Sequence, residues 1–341
     1  MVMLDEVQVA PNSKRSWDMP VGETIVGKIT APITVVNGAQ EGPTVAVLAG
    51  CHPGEINGIM TSVQLAKETK PETLSGRLLI VHVLNVLGVQ FKKGHISPLD
   101  GVNLGRAYPT ETRQQADDSG HVSHQGKSLT FSTAERIFNK IVLKADYVVD
   151  LHGGEYFESL PPNIEIKPTG EKEIDERTRS LARAFGFELV WEVPKGSIPE
   201  MPGYPGRGSV TTEAPLNGIP AAVCEVGGEG KLETSLVDLT LGGLRNVMRS
   251  LHMLPGSAVQ VSPTVLVGGH VLFAGKGGLV VTHVKAGQEV QEGDVLGEIV
   301  SLSGDVVETV RSPSHAILTN VTTLGLANPG DMLYVLGNIV A

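Results

Sequence analysis

The stretch GCHPGEINGI, residues 50 to 59, sets His52 three residues before Glu55, directly behind the apolar run TVAVLA. That spacing suits two ligands on one metal ion. It also suits a loop that opens a helix, with Glu55 favouring the dipole and His52 bonded locally. Two more polar residues stand in a similar relation to apolar runs: His152 ends VVDLH and Glu225 ends AAVCE. In open α/β sheets, ligands bind outside the carboxyl ends of the strands. Three segments far apart in the chain therefore deliver polar side chains to one rim. Two histidines and a carboxylate are the donor set of a catalytic zinc, which leaves a fourth position for water. Asp150, two residues before His152 and on the same strand face, is placed to orient that ring. Cys51 and Cys224 adjoin His52 and Glu225, but neighbours alternate sides in extended chain, so both read as packing residues. Arg106 lies in GHISPLDGVNLGRAYP (94–109), too polar and too rich in Gly and Pro for a strand or helix. It suits bidentate capture of a substrate carboxylate; a surface salt bridge is the alternative.

The elements that must carry these residues follow from periodicity. Strands are predicted over 44–50, 77–85, 145–152, 187–193 and 219–226. Amphipathic segments lie between them: Ile56, Ile59, Met60 and Val63 share one face, and Ala134, Ile137, Phe138 and Ile141 another. The second opens with Ser132 and Glu135 at capping-box spacing. Further helices are predicted over 171–185 and 235–252. Apolar strands separated by helices predict an α/β fold, a mostly parallel or mixed sheet with helices on both faces. Residues 1–43 read as extended β segments ahead of that core, and the first domain as 1–255.

After residue 255 the pattern becomes Gly-rich turns and β-branched alternation without a helical period, which predicts a small all-β domain over 256–341. It contains a repeat: GLVVTHVKAGQEVQEGDVLG (278–297) aligns with HAILTNVTTLGLANPGDMLYVLG (315–337), with Gly293-Asp294 matching Gly330-Asp331. Two such halves resemble lipoyl and biotinyl carrier domains. The turn between them, SLSGDVVETV (301–310), lacks the carrier lysine, so the domain reads as structural or gating.

The formal net charge of −10 argues against a nucleic-acid partner, because phosphate binding rests on clustered Lys and Arg. No apolar run is long enough to span a bilayer. The N-terminal residues lack a signal-peptide pattern, and two cysteines are too few for a disulfide scaffold. A cytoplasmic enzyme acting on a small molecule is expected; a homo-oligomer is compatible with the sequence.

In combination the motifs resemble those of the succinylglutamate desuccinylase/aspartoacylase family, relatives of the zinc carboxypeptidases. GCHPGEINGI looks like the family's G-x-H-G-[DE]-E metal motif, DLHGG like its third-ligand motif, CEVGGEG like its catalytic glutamate motif, and PGRGSVTTEA (205–214) like the approach to it. The likeness covers roughly residues 40–255, and the C-terminal β domain is similar to one seen in bacterial members. The resemblance implies a zinc-carboxypeptidase-like fold and one zinc ion held by His52, Glu55 and His152, with Glu225 as general acid/base. It also implies hydrolysis of the amide of an N-acyl amino acid, with Arg106 and Asn103 on the substrate; His95, Lys92 or Lys93 could take the place of the family's substrate-gripping arginine. Where the family runs R-x-x-P-x-D-G-x-N-x-N-R, this chain reads HISPLDGVNLGR. His95 replaces the usual arginine and Gly105 the second asparagine. A carboxypeptidase trimming short peptides and a catalytically degenerate metal-binding module are the rival readings.

Overall fold

The computed structural model describes residues 2–4, 7–109 and 128–340. Along strand Gln40–Ala49, Val45, Val47 and Ala49 alternate with Ala46 and Leu48, and both sets are buried. A strand covered on both faces requires that. The first set packs with helices Ile56–Glu68, Lys172–Ala184 and Thr234–Ser250. The second packs with helices Leu129–Lys140 and Val210–Leu216 and with the N-terminal strands Ser13–Thr24 and Gly27–Asn37. The expected helices on both faces are present.

Four strands in the middle of the sheet run parallel in the order Ser75–Val81, Gln40–Ala49, Tyr147–His152, Ala221–Gly228. Strand Glu158–Ile166 then lies antiparallel to Ala221–Gly228, followed by Leu189–Glu192 and Thr264–Phe273, each parallel to the one before. The sheet is thus mixed: two parallel blocks meet at the strand that carries Glu225. Because Thr264–Phe273 also pairs with Met332–Ile339, the sheet runs on past residue 255 into the C-terminal strands. Gly278–Thr282, Val295–Val300, Val306–Arg311 and Leu326–Ala327 make a separate four-stranded sheet there.

Two local details differ from the sequence pattern. Strand Glu158–Ile166 was hidden by Pro161 and Pro162, which ordinarily exclude a central strand. They are accommodated where the register slips: Asn163 pairs with Glu225 and Leu160 with Gly227, across a bulge. The helix expected to open at Ser132 begins at Leu129. Asp100 accepts from the backbone N–H and the hydroxyl of Thr130, so a distant carboxylate satisfies the first-turn donors and makes the Ser132–Glu135 pair unnecessary as a cap. No helix among the described residues is long and apolar enough to cross a membrane.

Candidate metal centre and active site

His152 is the last residue of its strand, and Ala49, which ends the neighbouring one, pairs with Leu151. Gly50, at φ 67°, then turns the chain close against Val83 and the His82 carbonyl, where a β-carbon has little room. That turn brings His52 over the strand ends and places Glu55 at the N-cap of helix Ile56–Glu68. His52 Nδ1 lies 2.7 Å and His152 Nδ1 3.1 Å from the same oxygen, Glu55 Oε1. Ligand atoms of the three residues all lie within 4.8 Å of one another, a cluster that could hold a metal ion.

The outer faces of both rings decide what that cluster can hold. His52 Nε2 donates to Asn103 Oδ1 at 3.1 Å; that oxygen is fixed as an acceptor by the Gly105 N–H at 2.8 Å. His152 Nε2 lies 2.9 Å from Asp150 Oδ2. Each Nε2 therefore carries a proton, and in the neutral ring each Nδ1 lone pair faces the Glu55 carboxylate. Three converging lone pairs repel unless a cation lies between them, and imidazole with carboxylate suits zinc. The protonation energetics show the same demand. Burial works to lower both imidazoles, yet Glu55 beside His52, and Asp150 with Glu55 beside His152, hold them well above the ordinary value. Burial works to raise Glu55, yet His152 and His52 bring it down to about 2.

Glu225 pairs with His152 on one side and with Asn163 on the other, so the three side chains form a row on one sheet face. Burial, with Glu55 and Glu165 adding repulsion, pushes its carboxyl up to about 8 against the attraction of His152 and His52. Its Oε2 is buried without a hydrogen-bond partner. A carboxyl tuned near neutrality beside a metal-ligand cluster can accept and return a proton.

The remaining sequence-predicted residues surround this centre. His95, at φ 46°, sets its ring edge-on to His52 with centroids 4.7 Å apart; burial and His52 lower its pKa. Asn103 spends its carbonyl oxygen on His52, so its amide is what remains for substrate. A β-carbon on Gly105 would stand 3.2 Å from His52 Nε2. Arg106 is exposed, and its guanidinium lies 5.6 Å over the ring of Tyr204. Cys51 and Cys224 are free and buried; Cys224 lies within its strand as expected, but Cys51 follows the turn at Gly50, past the strand end, and its thiol is hydrogen-bonded to the His52 ring rather than alternating away from it. Tyr204, Glu165, Lys167 and Asn163 were not singled out in the sequence. For the last three, their position in strand Glu158–Ile166 or just after it was the missing signal.

A profile of the succinylglutamate desuccinylase/aspartoacylase catalytic domain matches residues 41–251. The chain is 24% identical over 328 residues, covering 93% of itself and 88% of the relative, to N-alpha-acetyl-L-2,4-diaminobutyric acid deacetylase from Halomonas elongata. Among solved structures it resembles a product-bound ectoine utilization protein from Ruegeria pomeroyi, with a TM-score of 0.84 at 21% identity. It also resembles a succinylglutamate desuccinylase from a Silicibacter species, with a TM-score of 0.83 at 22% identity. Each structural match covers 97% of both chains and fixes the fold. With most of its length under the family profile, the chain belongs to the succinylglutamate desuccinylase/aspartoacylase family.

Proposed function

We propose that this protein is a zinc-dependent hydrolase that cleaves the amide bond of an N-acyl amino acid or a related small carboxylate, with one zinc ion per chain. The observation that carries the reading is the convergence of two imidazole Nδ1 lone pairs on Glu55 Oε1, with both Nε2 atoms tied to acceptors. Family membership and a relative named for removing an acetyl group from a diamino acid support the substrate class.

His52, Glu55 and His152 would hold the zinc ion, which when bound would supply Lewis acidity and make water easier to deprotonate near neutral pH. Glu225 takes the proton of the attacking water and passes it to the leaving amine, so one carboxyl acts as base and then as acid. Burial, the largest cause of its raised pKa in the metal-free protein, favours the protonated form that returns the proton. Asp150 and Asn103 hold the two rings in the tautomer that leaves Nδ1 free. Arg106 anchors the substrate carboxylate and sets its distance from Glu225, with the Asn103 amide and His95 on the neighbouring side.

We read the C-terminal strands as a lipoyl-like domain with a structural or gating role. The hairpin between Val295–Val300 and Val306–Arg311 turns through residues 301–305, which include no lysine.

The test is metal content by elemental analysis for the parent and His152→Ala, with amine release measured on a panel of N-acyl amino acids and short peptides. About one zinc in the parent, far less in the variant, and amine release from the N-acyl panel are expected. No retained metal after zinc is offered and dialysed away, or release from peptides alone, overturns the proposal.

A further inference from the structure

Arg106 has no carboxylate partner among the described residues. With no acid beside it among the described residues, the exposed guanidinium can take a ligand, but its long side chain also has many rotamers to choose from. What restrains it is aromatic. The guanidinium carbon stands 5.6 Å from the centroid of the Tyr204 ring, within cation–π range.

The ring is itself held from below. Its hydroxyl donates to Glu165 Oε1 at 3.1 Å, and Lys167 Nζ reaches the same oxygen at 3.1 Å. Lys167 also donates to Thr211 Oγ1 at 2.9 Å and lies 5.8 Å from the ring centroid. Glu165 and Lys167 are both buried. Backbone contacts join the two loops as well. Gly208 accepts from the Tyr108 N–H at 2.9 Å, and a β-carbon on Gly208 would overlap the Arg106 carbonyl. At φ 94° that position also requires glycine.

This assembly is tied to the reacting centre. Glu165 pairs in register with Val223, two residues before Glu225 and on the same face. Strand Ala221–Gly228 thus sets Glu225 and, through its neighbour, Glu165; Glu165 sets Tyr204, and Tyr204 sets Arg106. We propose that Tyr204 is a positioning residue: its ring fixes the Arg106 guanidinium and so the span between carboxylate anchor and acid/base. The inference rests on the N-acyl amino acid reading above. It makes Tyr204 a determinant of preference for ligands with a free carboxylate over the same ligands capped as carboxamides.

The test is a double-mutant cycle read by binding. Zinc-loaded Glu225→Gln protein serves as the parent, so that affinity is measured without turnover. Calorimetric titration uses a panel of N-acetyl amino acids and their carboxamides against the parent, Tyr204→Leu, Tyr204→Phe, Arg106→Ala and the Arg106→Ala/Tyr204→Leu pair. Tyr204→Leu is expected to weaken carboxylate binding about 2- to 30-fold, the range of a cation–π contact, while leaving the carboxamides unchanged. Tyr204→Phe keeps the ring but loses its bond to Glu165, and its loss should be smaller than that of Tyr204→Leu. In the Arg106→Ala background, Tyr204→Leu should cost nothing further. Equal losses for carboxylates and carboxamides, or a loss that persists without Arg106, overturn the proposal while leaving the deacylase reading standing. If the parent binds no N-acetyl amino acid and Arg106→Ala is silent, the substrate reading falls and the Tyr204 role falls with it.

Discussion

Glu225→Gln separates the chemistry of the site from its cost in stability. In the metal-free protein the Glu225 carboxyl is raised from 4.5 to about 8, chiefly by burial, with Glu55 and Glu165 adding to it. A carboxyl raised in the folded state keeps its proton at pH values where the unfolded chain has already lost it. The native state then binds more protons, and stability falls as pH rises, beginning near the unfolded value and levelling off above the folded one. Integrated from pH 5 to pH 9 at ~1.36 kcal/mol per unit, that loss is about 4 kcal/mol. Glutamine does not ionise and escapes it. Urea unfolding of the parent and Glu225→Gln with chelator present, at both pH values, reads the effect directly. The stability of the variant relative to the parent should be about 4 kcal/mol greater at pH 9 than at pH 5, whatever the pH-independent effect of the amide. Parallel pH dependences would refute the idea that this carboxylate is charged at a cost inside the fold. With zinc restored, the variant should keep its metal and lose about 10²- to 10⁴-fold in turnover. Loss of metal instead would make Glu225 a ligand.

Other consequences are as direct. Asp150→Asn removes the carboxylate that holds His152 Nε2 at 2.9 Å. It should weaken zinc binding about 10- to 100-fold in a chelator competition, and an unchanged affinity would place the control of that ring elsewhere. Gly228→Ala would drive a β-carbon into the Glu158 carbonyl of the adjacent strand. A loss of about 1–3 kcal/mol in urea unfolding is expected, and an unaltered midpoint would show that the two strands can separate there at no cost.

The candidate metal centre was legible because each of its segments carries a strong local signal. His52, His152 and Glu225 each end, or directly follow, a continuous apolar run, and a polar residue at that point must emerge at the sheet rim. The parallel block was readable for the same reason. Strand Glu158–Ile166 was not, since Pro161-Pro162 argues locally against a strand and only the bulge opposite Gly227 makes room for it. With that strand hidden, so were Asn163 beside Glu225 and the Glu165–Lys167 pair. Tyr204 sits in a Gly- and Pro-rich loop where periodicity carries no information, and its contact with Arg106 spans almost a hundred residues of sequence. Asn103 is a different case. Its motif pointed to substrate, but whether its oxygen serves substrate or His52 depends on a loop geometry fixed by the Gly105 N–H.

The two departures in HISPLDGVNLGR have one electrostatic consequence. A β-carbon at position 105 would already crowd His52 Nε2 and Cys51 Sγ, at 3.2 and 3.3 Å. Glycine there leaves Asn103 as the group that holds the His52 ring. At position 95 an imidazole replaces a permanently charged guanidinium, and burial together with His52 works against its protonation. Two other cations among the described residues are committed: Lys167 to Glu165 and Thr211, and Arg207 to Glu213 through two bonds of 2.8 and 2.7 Å. Of these three, Arg106, an exposed side chain on a single 3₁₀ turn, is the one proposed to supply fixed positive charge to a substrate carboxylate. One anchor can set a reacting distance only if it is itself held in place, and the partner that holds its guanidinium is the Tyr204 ring.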